Sequence, residues 1–285
     1  MSFLDHIAIC NAHDLSHFVP FAAGETQLGW VRPALADAFA EASPSFVRTA
    51  DGLTLDAAID DFDSRSALVG EVVEHLSDEG LLPSLRDEMY AIAPSFFQPA
   101  LFQLDRAAVP PMGVRAYGVH VNGFVRNPNG SIDLWIGRRA PTQLLCPNML
   151  DNMVAGGQPI GITPIDNVVK EAHEEAGVPT ALARKAKPVG MVRYTMETEG
   201  GLRQDTMFCY DLELPDDFVP VNTDGEVAEF IRMPAEEAKA IVRDTFDFKF
   251  NCNLVVMDFL IRHKLLNDTE ADIAAIRRGM GQDLR

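Results

Sequence analysis

The chain reads as an α/β protein: an α/β/α sandwich around a mixed sheet, preceded by a smaller α-rich N-terminal unit. Three observations carry that expectation. A glycine-bearing loop from Gly156 runs into an amphipathic helical pattern that ends at Gly177. Strand-like runs flank that helix on both sides, and strands sandwiched by helices are the order that α/β/α layering needs. Before Pro110-Pro111 and Gly113, a turn-forming break, the spacing is mainly helical. The division falls at about residue 110, giving units 1–110 and 111–285 of a 285-residue chain.

Taken in order, Phe18–Phe21 is a short extended piece, Gly24 a turn, and Leu28–Val31 a returning strand. Helical patterns follow at 33–42 and 66–79, the second with Leu68, Val72, Val73 and Leu76 at helical spacing, and a third helix is expected at 83–92. From Val114 the runs AYGVHVNGFV, IDLWIGRR and NMVAGG read as strands. The helix after them has Thr163 as N-cap, Pro164 at its first position, Asp166 in a capping-box-like place and Gly177 as the C-terminal stop. Ile165, Val169, Ala172 and Ala176 form its expected core stripe, leaving its glutamates toward the preceding loop or solvent. VGMVRYTMET and QDTMFCYDLEL make a hairpin about Gly200-Gly201, and EVAEFIRM a further strand. Pro234 opens a helix over 234–242, and Asn251 or Asn253 caps one reaching about 266.

Composition narrows the function. With 42 Asp and Glu against 24 Lys and Arg the net charge is −18, which argues against nucleic-acid and acidic-membrane partners, since both need clustered cations. No apolar run approaches the length of a membrane span, and MSFLDHIAIC lacks the basic start of a signal peptide, so a cytoplasmic location is expected. Cys10, Cys146, Cys209 and Cys252 show no C-x-x-C spacing and read as free thiols.

Chemistry concentrates on the helix. Glu171, Glu174 and Glu175 fall within an arc of about 100° on one turn. Three like charges repel there, and a divalent cation such as Mg²⁺ or Mn²⁺ would turn that repulsion into binding, because hard ions prefer carboxylate oxygens. Phosphate-holding cations are sought in Arg138 and Arg139, only one of which can point inward on a strand, and in Arg193 and Arg203 on the hairpin. Lys170 suits a salt bridge to the glutamates, His173 solvent, and His120 a core or rim position. Trp135, Tyr117, Phe246, Phe248 and Phe250 read mainly as packing residues.

The spacing resembles the Nudix box, G-x5-E-x7-R-E-U-x-E-E-x-G-U, with matches at Gly156, Glu171, Ala172, Glu174, Glu175, Gly177 and Val178. Ile162 stands where that pattern has its first Glu, and Lys170 where it has Arg. Residues 117–124, 134–142, 150–157 and 248–263 are similar to one subgroup, related to the N-terminal Nudix region of fungal thiamine pyrophosphokinase. The resemblance implies the Nudix sandwich and a metal-dependent hydrolase of a small-molecule diphosphate, in that subgroup thiamine diphosphate or its oxidised and damaged analogues, giving the monophosphate. It implies Glu171, Glu174 and Glu175 as metal ligands with the Gly156 carbonyl beside them, and a general base among the box glutamates or on a distal loop. Glu226 is the leading distal candidate, Glu229 the next, with Glu197 and Glu199 read as solvated acids. Three other readings stay open: a hydrolase of nucleoside diphosphate derivatives, a non-catalytic ligand-binding module prompted by Ile162, and an isomerase of isoprenoid diphosphates using Cys146 or Cys252. The N-terminal unit could be a lid, a homodimer contact or a specificity element.

Overall fold

The N-terminal part of the computed structural model, which describes residues 2–266 and 269–282, alternates short strands with helices. In order it holds α1 (Phe3–Cys10), β1 (Val19–Ala23), β2 (Thr26–Val31), α2 (Pro33–Ala42), β3 (Phe46–Thr49), β4 (Gly52–Leu55), α3 (Phe62–Asp78), β5 (Met89–Ile92), β6 (Phe102–Asp105) and α4 (Val109–Met112). The first four strands make one sheet in the order β2-β1-β4-β3, and β5 and β6 a separate ribbon. Phe21, Phe39, Phe46, Leu53 and Phe102 fill the core between them and α3. The unit therefore holds six strands beside the expected helices. Strands of four to six residues are too short to print a clear alternation.

The helix expected over 83–92 does not form. The Asp105 carboxylate accepts the backbone N–H groups of Arg86 and Asp87 at 3.0 and 2.9 Å. Asp87 adopts a left-handed φ of 56°, which no helix interior tolerates, and Met89–Ile92 is β5.

The second part follows as β7 (Arg115–Arg126), β8 (Ile132–Arg139), β9 (Leu150–Asn152), β10 (Val154–Gly157), α5 (Pro164–Ala176), α6 (Thr180–Ala183), β11 (Lys187–Thr198), β12 (Gly201–Glu213), β13 (Val227–Pro234), α7 (Ala235–Asp244), α8 (Cys252–Arg262) and α9 (Glu270–Gly279). Its sheet runs β11-β12-β7-β8-β13, with β10 on β7 and β9 on β8. The β12–β7 pair is parallel and its neighbours antiparallel, so the sheet is mixed. Alternation along β7 sends Val119 and Val121 into the core shared with α5, and Phe124 into the core shared with α8. This is the α/β/α layering expected. The last long helix ends at Arg262, earlier than 266, and Asn253 lies inside it. Among the described residues no helix is long and apolar enough to cross a membrane.

Three glycines let the two parts touch backbone to backbone. A Cβ on Gly29 would stand 2.4 Å from the Met112 carbonyl oxygen, one on Gly113 2.0 Å from that of Trp30, and one on Gly201 2.1 Å from that of Pro110. The first helix also crosses over: Phe3 and Cys10 of α1 are buried in the core built around α8.

Candidate active site

The site begins with how α5 is fixed to β10. Thr163 accepts the Asp166 N–H, Pro164 starts the helix, and Gly177 ends it with a φ of 61°. The buried face is Asn167, Val168, Glu171, Ala172, Glu175 and Ala176, whereas Ile165 and Val169 are only partly covered. The expected stripe is thus rotated, because the helix turns two of its glutamates into the protein. Glu175 is buried and accepts the Ala155 N–H at 2.9 Å on the outer edge of β10. Glu171 packs so close to Gly156 that a Cβ there would lie 2.3 Å from its carboxyl carbon. Glu174 stays exposed, and Lys170 bridges it at 3.1 Å and Glu171 at 3.0 Å, the salt bridge its position suggested.

Burial raises the Glu175 carboxyl well above its ordinary range, opposed by the Ala155 N–H and reinforced by Glu171, Asp151 and Glu226. Burial also raises Glu171, with Lys170 opposing it. An acidic pocket with this little internal compensation suits a bound cation, and its donors are all hard oxygens.

The loop before α5 is tied by neutral groups. Asn167 Nδ2 donates to the Gly157 carbonyl at 2.6 Å, and Gln158 Nε2 to the Ile162 carbonyl at 2.7 Å. These amides anchor the loop to the helix at the place where Ile162 leaves no charge to pair.

A second polar group lies behind the glutamates. Asp151 accepts from Arg139 at 2.8 Å and from the Cys252 thiol at 2.6 Å, with Lys249 at 3.5 Å. Burial pushes the carboxyl upward, but Lys249, His120 and Arg139 outweigh it and hold Asp151 at about 2. His120, beside Ala155 in the β7–β10 register, is lowered to about 4 by burial and then by Lys249. A relay fixes its tautomer. Asp211 can only accept, so Asn122 donates to it at 3.2 Å, Asn152 donates to Asn122 at 3.3 Å, and His120 Nδ1–H donates to Asn152 at 2.9 Å. His120, Asp151 and Cys252 bring one ligand-type atom each within 4.8 Å. Lys249 and Arg139 already compensate Asp151, and burial keeps the Cys252 thiol protonated, so a divalent ion there would have to displace a lysine.

The predicted cations are mostly engaged elsewhere. Arg138 is half-buried and pairs with Glu229 at 2.6 Å. Arg139 is the inward one of the two, but Asp151, Gln143 and the Leu145 carbonyl take its donors. Arg203 pairs with Asp205 at 2.9 Å and lies over the Phe250 ring. Arg193 lines a groove with Phe96, Tyr117 and Phe208. Glu197, expected as a solvated acid, is instead half-buried and paired with His17 at 2.9 Å and Arg32 at 3.0 Å, while His173 is exposed. Trp135 and Phe248 are core residues, while Phe246 is exposed. Glu226 sits on an exposed loop whose backbone bonds Ala140, and its charge reaches both Glu175 and Arg106.

Sequence reasoning missed what the N-terminal part brings. The Met89 carbonyl accepts the Ile160 N–H at 2.8 Å, and the Tyr90 hydroxyl lies where a Cβ on Gly157 would be, 1.7 Å away. Glu88, beside them, adds to the charge felt by Glu171. Lys249 and Asp151 carry a signal in the sequence: they lie in segments 248–263 and 150–157, which meet through Leu150, whose backbone bonds Asp247 and Lys249 at 2.8 Å each.

Residues 2–116 match a family model described as a domain of unknown function, DUF4743. The chain is 39% identical over 272 residues to Nudix hydrolase 20, chloroplastic, of Arabidopsis thaliana, covering 92% of this chain and 72% of that protein. It is 40% identical over 268 residues to Nudix hydrolase 24, chloroplastic, of the same plant, covering 93% and 73%. Among solved structures it is similar to DR0079 from Deinococcus radiodurans, 25% identical, over 56% of this chain and 91% of that one, with a TM-score of 0.41.

Proposed function

The chain belongs to the Nudix hydrolase family, and we propose that it cleaves a small-molecule diphosphate, thiamine diphosphate or its oxidised and damaged analogues, to the monophosphate. The observation that carries the hydrolase reading is the buried Glu171–Glu175 pair against Gly156, an acidic oxygen pocket beside a glycine loop. The thiamine choice is supported by the resemblance of residues 117–124, 134–142, 150–157 and 248–263 and by the Lys170-Glu171 form of the box. Units 1–110 and 111–285 are read as an accessory unit and the hydrolase domain, working in the cytoplasm.

Glu171, Glu174, Glu175 and the Gly156 carbonyl would hold Mg²⁺ or Mn²⁺, whose chemistry there is to neutralise phosphate oxygens and acidify water. The chain's own residues do the rest. Lys170 pairs with Glu171 and Glu174 and offsets part of their mutual repulsion. Asn167 and Gln158 hold the glycine loop in place. Glu226, exposed on its loop and in the field of Glu175, takes the proton of the attacking water.

The test is turnover with Mg²⁺ or Mn²⁺ on thiamine diphosphate, its oxo and oxy forms, ADP-ribose and nucleoside di- and triphosphates. Selective release of monophosphate from the thiamine compounds is expected. Preference for ADP-ribose or a nucleotide would move the reading to nucleoside diphosphate derivatives. Glu175→Gln should lose at least about a hundredfold in kcat (roughly 2.7 kcal/mol), and Mg²⁺ should raise the melting temperature of wild type but not of the variant. A variant with near-normal turnover removes the box from the reaction.

A further inference from the structure

We infer that Arg106, supplied by the N-terminal unit, is a substrate-binding residue of this site and grips the diphosphate; the inference rests on the hydrolase reading above. A diphosphate approaching Glu171, Glu174, Glu175, Glu88 and Glu226 on a chain of net charge −18 needs a cation besides any bound metal. Of the cations expected from the sequence, Arg193 lines the groove with Phe96, Tyr117 and Phe208, and the others are already paired. Arg138, Arg139 and Arg203 are paired with Glu229, Asp151 and Asp205, and Lys170 and Lys249 with Glu171 and Asp151.

Arg106 differs in both place and freedom. A short run of contacts leads to it from the box. Gly157 follows Gly156 and carries the Tyr90 hydroxyl against it, and the Arg106 guanidinium stands 6.0 Å from the Tyr90 ring centroid. One terminal nitrogen pairs with Glu88. The remaining guanidinium N–H groups have no hydrogen-bond partner among the described residues, and the side chain is 48% exposed. A planar guanidinium presents paired donors that match two phosphate oxygens at once, which an ammonium cannot do. The site is therefore built from both parts of the chain. The domain of unknown function contributes a wall and a cation, and α5 contributes the carboxylates.

The experiment compares wild type, Arg106→Met and Arg106→Lys. Methionine keeps an apolar stem over Tyr90 without the charge; lysine keeps the charge without the fork. Methylenediphosphonate, which cannot be hydrolysed, is titrated calorimetrically into each full-length protein with Mg²⁺, and KM and kcat are measured on the preferred substrate of the panel. Expected are unchanged melting temperatures within a few degrees, at least tenfold weaker methylenediphosphonate binding and higher KM in Arg106→Met, a smaller change in kcat, and partial recovery in Arg106→Lys. Binding in Arg106→Met within twofold of wild type overturns the assignment. So does equal weakness of the two variants, which marks a structural role, or an absence of saturable binding by wild type. If wild type binds methylenediphosphonate through Arg106 but turns over no member of the panel, the hydrolase reading fails and the Arg106 assignment stands.

Discussion

Gly156 lacks a side chain where Glu171 needs the room. Its backbone φ is not in the left-handed region, so alanine could adopt the conformation, but the new methyl would meet Glu171 Cγ at 2.4 Å and its carboxyl carbon at 2.3 Å. Gly156→Ala should therefore displace the carboxylate and weaken Mn²⁺ binding about tenfold, roughly 1.4 kcal/mol, with thermal stability little changed. Calorimetric titration of Mn²⁺ checks this, and an unaltered affinity would detach Gly156 from the metal set. His120 makes a different demand, on pH. Its folded pKa of about 4 lies below the ordinary 6.5. The unfolded chain thus binds more protons between those values, so the stability this histidine contributes is intact above about 6.5 and declines as pH falls toward 4. At 1.36 kcal/mol per unit the loss approaches about 3 kcal/mol. Urea unfolding at pH 7 and pH 4.5 should show a difference between wild type and His120→Gln that shrinks at the lower pH. A constant difference would mean that His120 is not held neutral. The contrast in legibility is physical. Glu171, Glu174 and Glu175 were readable because helical geometry links near neighbours, whereas Glu88, Tyr90 and Arg106 meet the box across 50 or more residues of chain.

At the scale of elements, α5 was legible almost to the residue because its ends are written locally, in Thr163, Pro164 and Gly177. Its face was misjudged because hydrophobic periodicity assumes that the buried side is apolar, and here the buried side includes Glu171, Glu175 and Asn167. The helix expected at 83–92 failed for the converse reason. The residue that decides that segment, Asp105, lies 18 and 19 positions beyond the amides it captures. Asn167 shows what an element can carry besides packing. It is wholly buried, bonds the Gly157 carbonyl, and couples the first half of α5 to the end of β10 beside Gly156. Asn167→Ala removes that tie and leaves the Gly157 carbonyl short of its donor, so we expect about 1–3 kcal/mol of lost stability together with at least tenfold lower kcat/KM. Asn167→Leu should behave alike in stability, since it fills the space without bonding. Retention of full kcat/KM in both, with measurable destabilisation, would show that the loop is fixed by other contacts.

For the whole molecule, the decisive feature is how closely the two parts are locked. A division at about 110 was expected from Pro110-Pro111 and Gly113. The structure puts that segment in α4 and threads it between β2 and β12, with Gly29, Gly113 and Gly201 each within a would-be methyl of a neighbouring backbone. α1 goes further, burying Phe3 and Cys10 in the core of the second part. Contacts of this kind couple the stability of the parts, because neither can open without exposing apolar surface of the other. Calorimetric melting should accordingly give one transition whose van't Hoff and calorimetric enthalpies agree. Gly113→Ala provides the sharper check. Its φ of 57° penalises a side chain, and the new methyl would meet the Trp30 carbonyl. We expect the variant to lose more than about 2 kcal/mol while still melting in a single step, since the strain is placed on the shared seam. A variant that split into two transitions, with only the N-terminal part shifted to lower temperature, would show that the seam is a contact between independent domains.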